Sequence, residues 1–213
     1  DGDAASGRLV RRSIDLSNPW RSHRHLPVPL PGRHQALNAA LAVTAADLLH
    51  HESLLRVPAA AVQSGLSAVR WPLRTEVLGN HPLVIVDAAH NEASIAALVE
   101  TLSETSAGRR IVIFAASRDK DASAMLAQLR PAADVLILTR FLGNPRAISI
   151  EDLQRLCGDR HEGSLLTAED PAAALQTALQ LATQDDLICA TGSFFLAAEV
   201  RTAWELVHGP AMP

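Results

Sequence analysis

The chain has 213 residues, 48% of them hydrophobic, 20% charged and 3% aromatic, a composition able to bury the core of one domain, or of one and part of another. Its formal net charge of -4 gives no electrostatic case for nucleic acid or an anionic membrane surface. Of the 19 basic residues 18 are arginine and one is lysine, Lys120, which stands between Asp119 and Asp121. A phosphate-binding P-loop needs Gly-Lys followed by Ser or Thr, so none is present. None of the 11 glycines lies two positions from another, which disfavours the dinucleotide fingerprint. Cys157 and Cys189 lie far apart in apolar surroundings, as expected of buried thiols in a reducing cytoplasm. No apolar run approaches the roughly 18 residues of a membrane span, and Asp1, Asp3, Arg8, Arg11 and Arg12 do not suit a signal peptide. The chain starts with aspartate rather than methionine and reads as a fragment or a processed product.

Residues 1–31 are polar and arginine-rich, with short apolar alternations and prolines at 19, 27, 29 and 31, and read as irregular or edge-strand structure. A helix is expected from about Arg33 to His50, with Leu37, Leu41, Ala45 and Leu48 as its apolar stripe. A shorter one follows Pro58 and reaches about Ala68, and Trp71-Pro72 ends it. From Thr75 onward an apolar strand, a polar loop and an amphipathic helix alternate. Strands are expected at Leu83 to Asp87, Ile111 to Phe114, Val135 to Thr139 and Leu187 to Ala190, with Glu76 to Leu78 a possible edge strand. Their near-continuous apolar runs suit strands covered on both faces. Helices are expected near 92–105, 122–130, 150–157, 171–183 and 194–206. Ser149 with Asp152 resembles a capping box, and Asp170-Pro171 places a cap before a first-turn proline. The alternation predicts an α/β fold with a mostly parallel, doubly wound sheet.

Ligands of such sheets bind at the carboxyl ends of the strands. The loops there carry Asp87, His90 and Asn91, then Ser117 to Asp121, then Thr139 to Arg146, then Gly192 and Ser193. A carboxylate can accept from ribose hydroxyls, an ammonium can bind a carboxylate or phosphate, and a serine at a helix start adds free amides and the positive end of the macrodipole. Each also has a structural alternative. Asp87 could accept backbone amides, Asn91 and Ser193 could be helix caps, Lys120 could be a solvated ion pair, and His90 a surface histidine.

Five segments in order, GRHQALNAALAVTAADLL (32–49), VRWPLRTEVL (69–78), VIVDAAHNEAS (84–94), VIFAASRDKDASAML (112–126) and ATGSFFLAAEVR (190–201), resemble the folylpolyglutamate synthase and dihydrofolate synthase family, a branch of the Mur ligase superfamily. The resemblance implies a Rossmann-like C-terminal ligase domain over residues 71–213, preceded in 1–70 by the helical tail of a central ATPase domain whose P-loop part is absent. It implies a cytoplasmic, monomeric parent enzyme that joins L-glutamate to folate or dihydropteroate with ATP and Mg2+, through an acyl phosphate. The Mg2+ ligands are expected outside this chain, and the chain alone is expected to be inactive.

Position by position, the resemblance makes Asn38 the adenine-binding asparagine and Arg74 the hinge arginine that reaches the phosphates. Asp87 becomes the ribose-binding aspartate with His90 and Asn91 beside the nucleotide, and Lys120 and Ser193 face the incoming glutamate. The family usually has glycine where this chain has Leu73, Ala88 and Ala115, and proline where it has Glu92. Leu73 is the weightiest departure, since it is expected to stiffen and widen the hinge that aims Arg74. The competing readings are another Mur-type amino-acid ligase and a non-catalytic adenine-nucleotide-binding module.

Overall fold

The computed structural model describes residues 9–10, 12–158 and 163–209, and divides the chain into two compact units, Leu9–Trp71 and a second beginning at Pro72.

In the first unit, β1 (Arg12–Ser17) and β2 (Ser22–Val28) form an antiparallel hairpin with a register shift between Ile14 and Leu16. The segment expected to be irregular or an edge strand is thus a paired hairpin. Its turn is held by Asn18, whose Oδ1 accepts from the amides of Trp20 and Arg21. Helices α1 (Arg33–His51) and α2 (Ala59–Ser67) follow, and Leu26, Val43 and Val62 form a small core.

The apolar stripe expected of α1 is not its buried face. The buried positions are Gln35, Ala39, Val43 and Asp47, whereas Leu37 and Leu41 are 69% and 70% exposed and Leu48 is also exposed. The hairpin carries polar groups that need a partner, and Asp47 supplies it. It accepts from Asn18 Nδ2 and pairs with His23 Nε2, both at 2.8 Å, with Arg21 at 3.5 Å. Burial opposes the charge of Asp47, but these hydrogen bonds and neighbouring cations hold its carboxyl below the usual range. A fully buried carboxylate is tolerated only with such partners, and meeting it turns the leucines of α1 away.

The second unit is a six-stranded sheet in the order β3-β4-β8-β5-β6-β7. Its strands are β3 (Glu76–Asn80), β4 (Leu83–Val86), β5 (Arg110–Phe114), β6 (Val135–Leu138), β7 (Ser164–Thr167) and β8 (Leu187–Thr191). Only β3 is antiparallel, and it occupies one edge. The opposite edge is β7, which is not among the strands expected from sequence. Its run of four residues holds two leucines, both half-buried, too short an apolar signal to stand out.

The intervening helices are α3 (Glu92–Ser103), α4 (Ala122–Leu129), α5 (Ile150–Cys157), α6 (Pro171–Leu181) and α7 (Phe194–His208). Side chains from α6 and α7, among them Leu175, Leu196, Val200 and Trp204, cover Val84, Val86, Ile111, Ile113 and Ile188 of the strands. The alternate strand residues Leu83, Ile85, Val112, Phe114 and Leu136 are equally buried. The sheet is therefore covered on both faces, as its continuous apolar strands require. Both N-caps read from sequence are present, with Ser149 Oγ accepting the Asp152 amide and Asp170 Oδ1 accepting the Ala173 amide, and Pro171 at the first helical position. Ser149 and Asp152 do not form the expected capping box, because the Asp152 carboxylate accepts from the Ser149 hydroxyl instead of the cap's backbone amide. Among the described residues, no helix is long and apolar enough to cross a membrane.

Candidate functional site

Strands β4, β8, β5 and β6 are consecutive and parallel, so the loops that follow them leave from one edge of the sheet. That edge brings together every expected site residue of the second unit. Asn38 lies in the other unit, exposed on α1, where its Nδ2 donates to Gln35 Oε1 at 3.2 Å.

Asp87 follows β4 and is buried. Its Oδ2 accepts from the Thr75 amide at 2.7 Å and the Thr75 hydroxyl at 3.0 Å, and its Oδ1 accepts from the Ala89 amide at 2.8 Å. The carboxylate thus holds the two chain segments that flank the β3–β4 hairpin. An ionised carboxylate offers about four lone-pair sites, so acceptor capacity remains for a ligand. Arg74, immediately before Thr75, is exposed, and its guanidinium has no partner among the described residues. It lies between two residues in the left-handed region, Leu73 (φ 60°) and Thr75 (φ 46°). Leu73 is buried in the core, its amide donating to Glu76 Oε2 and its carbonyl accepting from the Ala88 amide, both at 2.8 Å. A family glycine at this position has a physical reason, because side chains are disfavoured at positive φ. Here a leucine bears the strain and gains burial. Ala88 and Ala115 are not at positive φ, and Glu92 starts α3, where a negative charge suits the helix end.

His90 is exposed and its Nδ1 lies 2.9 Å from the Ala88 carbonyl. That bond makes Nδ1 the donor and leaves Nε2 as an acceptor in the neutral ring. Asn91 caps α3 through a capping box with Ser94; its Oδ1 is engaged and its Nδ2 is left to donate. Ser193 is buried and caps α7, its Oγ accepting from the Phe195 amide at 3.2 Å. Its own proton is not used by that bond. The structural readings of Asp87, Asn91 and Ser193 thus hold, and each still has a polar group to offer.

Gly192 brings β8 into this edge at φ 105°. Its amide donates to the Ala89 carbonyl, and a Cβ there would lie 2.5 Å from the Ala115 carbonyl oxygen and from the Phe114 ring. The residue before it, Thr191, and Thr139 after β6 are both fully buried, with hydroxyls that have no hydrogen-bond partner among the described residues. Neither is singled out as a site residue by the sequence, because a threonine at a strand end reads as β propensity.

Lys120 lies on the loop between β5 and α4, partly exposed, with Nζ 3.3 Å from Asp119 Oδ2. Arg146 approaches the other oxygen of Asp119 at 3.8 Å. Partial desolvation opposes the Asp119 charge, but a backbone amide, Lys120 and Arg146 hold its carboxyl below the usual range. The β5 and β6 loops are joined by the Arg118 amide donating to the Arg146 carbonyl at 2.9 Å and by a bridge between Ser117 and Ala147. Glu199 of α7 fixes the β6 loop, accepting from the amides of Leu142 and Gly143 at 2.7 to 3.1 Å. The two cysteines are free and buried, and burial pushes both thiols up, so neither suits a nucleophile. Among the described residues, no three His, Cys, Asp or Glu side chains converge to hold a metal ion.

Comparison with known proteins agrees with this arrangement. Residues 73–194 match the family model described as Mur ligase, glutamate ligase domain. The dihydrofolate synthase/folylpolyglutamate synthase of Bacillus subtilis is 32% identical over 183 residues, covering 85% of this chain and 41% of that protein. A solved folylpolyglutamate synthase of Mycobacterium tuberculosis, complexed with ADP, superposes with a TM-score of 0.80 at 30% identity over 92% of this chain and 47% of that one. A bifunctional folylpolyglutamate synthase/dihydrofolate synthase with Mn, AMPPNP and L-glutamate bound gives a TM-score of 0.72 at 29% identity, over 88% and 43%. The chain spans less than half the length of each of these relatives. With the sheet order, the carboxyl-edge loops and the family model in agreement over the second unit, the chain belongs to the Mur ligase family and carries its glutamate ligase domain.

Proposed function

We propose that this chain is the C-terminal part of an ATP-dependent ligase that joins L-glutamate to a folate or dihydropteroate carboxylate, with residues 1–70 the tail of its central ATPase domain and 71–213 its Rossmann-like ligase domain. The observation that carries the reading is the convergence of Asp87, Lys120 and Ser193 on one carboxyl edge of the sheet, within the segment matched by the family model. Solved relatives that bind ADP, AMPPNP, Mn and L-glutamate support it.

In this reading Asp87 accepts from the ribose, with His90 Nε2 and Asn91 Nδ2 beside the nucleotide, and the uncommitted guanidinium of Arg74 neutralises phosphate charge. Asn38 donates to adenine. Lys120 and Ser193 hold a glutamate carboxylate so that the amine is presented to the activated acyl group. ATP supplies the phosphoryl group that activates the folate carboxylate, and Mg2+ is held by the part of the ligase outside this chain. What these residues contribute is positioning and charge neutralisation. The parent enzyme is further proposed to be cytoplasmic and monomeric, with small molecules as its partners and no role at nucleic acid or membrane.

The test compares two proteins. The purified 213-residue chain is expected to bind adenine nucleotide without releasing ADP when glutamate and folate are added. The same residues, expressed behind an N-terminal P-loop portion, are expected to consume ATP in a glutamate- and folate-dependent manner. Glutamate-dependent ADP release by the chain alone would overturn the assignment.

A further inference from the structure

Beside Lys120 lies a cleft of about 390 Å3, between the loop that joins β5 to α4 and the outer face of α5. Arg118, Lys120 and Arg155 bring three cations to its lining, Asp121 and Asp152 two carboxylates, and Ile148 and Leu156 an apolar wall. Most of this charge is already committed. Asp152 engages Arg155 and the Ser149 hydroxyl, Asp121 caps α4 through the Ala124 amide, and Asp119, next to the cleft, is shared by Lys120 and Arg146. Arg118 differs. Its backbone is fixed by the bond to the Arg146 carbonyl, while its guanidinium is exposed and has no hydrogen bond or ion pair among the described residues.

A planar guanidinium with its donors uncommitted, two residues from an ammonium and lining the same cleft, suits a ligand with two carboxylates joined by methylenes. We propose that Arg118 is a specificity-determining residue that binds the side-chain carboxylate of an acidic amino acid, while Lys120 holds the α-carboxylate and Ile148 and Leu156 face the methylenes. This rests on the reading that Lys120 meets the incoming amino acid, and it adds what selects that amino acid. An amide in place of the side-chain carboxylate would leave the Arg118 charge uncompensated, so glutamine should be the poorer ligand even though its shape is the same.

The experiment is an NMR titration of the full 213-residue chain with L-glutamate and with L-glutamine, following the arginine Nε–H resonances. The Arg118 signal is assigned by its loss in Arg118→Gln. The wild-type chain is expected to favour glutamate by about tenfold or more, the ratio a charge-assisted hydrogen bond supplies. Arg118→Gln should bring the two affinities together by weakening glutamate alone, and Arg118→Lys should restore part of the preference. Lys120→Gln should weaken both ligands alike. An unchanged preference in Arg118→Gln, with Lys120→Gln still weakening both ligands, overturns this inference and leaves the proposed function standing. If Lys120→Gln has no effect on either ligand, the assignment of Lys120 fails and the inference fails with it.

Discussion

Thr75 donates twice to one oxygen of Asp87, through its amide at 2.7 Å and its hydroxyl at 3.0 Å. This pair ties the turn that carries Arg74 to the carboxylate proposed to meet the ribose, so a change at Asp87 should be felt both in folding and in ligand binding. Asp87→Asn removes an acceptor oxygen and puts an NH2 group where either the Thr75 or the Ala89 amide now donates. One buried amide is left unpaired, at a cost of about 1–3 kcal/mol. Thr75→Val removes only the hydroxyl bond, and should cost about 0.5–1.5 kcal/mol. Denaturant unfolding of the two variants should rank them in that order, with nucleotide affinity reduced more in Asp87→Asn. Equal stability of Asp87→Asn and wild type would show that the carboxylate does not hold this turn.

Leu73 sets backbone strain against burial. A left-handed conformation costs a side-chain-bearing residue roughly 1–2 kcal/mol relative to glycine. Truncating a buried leucine costs about 2–5 kcal/mol, and glycine adds about 0.5–1 kcal/mol of backbone entropy. Leu73 is 5% exposed and packs in the main core, so burial wins. Leu73→Gly should be destabilised by about 1–4 kcal/mol even though glycine is what the family resemblance would place there. A more stable Leu73→Gly chain would mean that strain dominates this turn.

Much of this molecule could be read in its residues because the signals were redundant. Four of the parallel strands are continuous apolar runs, and Asp87, Lys120 and Ser193 each follow one of them, so fold logic alone places them on one edge. What could not be read is of a different kind. The stripe Leu37, Leu41, Ala45 and Leu48 has good helical periodicity but faces away from the hairpin, because the buried Asp47 has to meet Asn18 and His23, which are distant in sequence. Periodicity reports that a helix has an apolar face, and the partner decides which face is buried. The short edge strand β7 carries too few apolar residues to stand out, and becomes a strand through its pairing with β6. Arg118 lies in the Ser117 to Asp121 loop that the sequence places at this edge, but its residue type does not single it out. It is one arginine among eighteen, and it differs only in that the neighbouring carboxylates are engaged elsewhere.

Gly192 gives the sharpest steric test. Its φ of 105° and the Ala115 carbonyl oxygen 2.5 Å from a would-be Cβ leave no room for a methyl group, and the oxygen belongs to backbone that cannot rotate away. Gly192→Ala should destabilise the chain by roughly 2 kcal/mol or more, since the conformational cost adds to the collision. It should also displace Ser193, so glutamate affinity should fall further than in Ser193→Ala, whose main loss is a helix cap of about 1 kcal/mol. Thermal unfolding and a glutamate titration on the three proteins would check both orders. A Gly192→Ala chain as stable as wild type would contradict the close approach of β8 to β5.

At the other end of the sheet, Asp186 sets how the fold responds to acid. It is 2% exposed, and its carboxylate accepts from the amides of Arg109 and Thr183 at 2.7 and 2.8 Å and from the Arg109 guanidinium at 2.8 Å. Burial opposes its charge, but the bonds from Arg109 and Thr183 outweigh it and lower its pKa to about 2. Because the folded value lies below the unfolded value of about 3.9, the unfolded chain binds the proton more readily, and acid favours unfolding. The contribution of Asp186 is therefore complete above about pH 4 and disappears as the pH falls towards 2, a loss on the order of 2 kcal/mol. Asp186→Asn should lower stability at pH 7, leave the Arg109 guanidinium without its counter-charge, and flatten the acid limb of the stability profile between pH 4 and 2. Urea unfolding of both proteins across that range measures the difference directly. If the wild-type and Asp186→Asn curves run parallel below pH 4, the acid sensitivity belongs to another carboxylate.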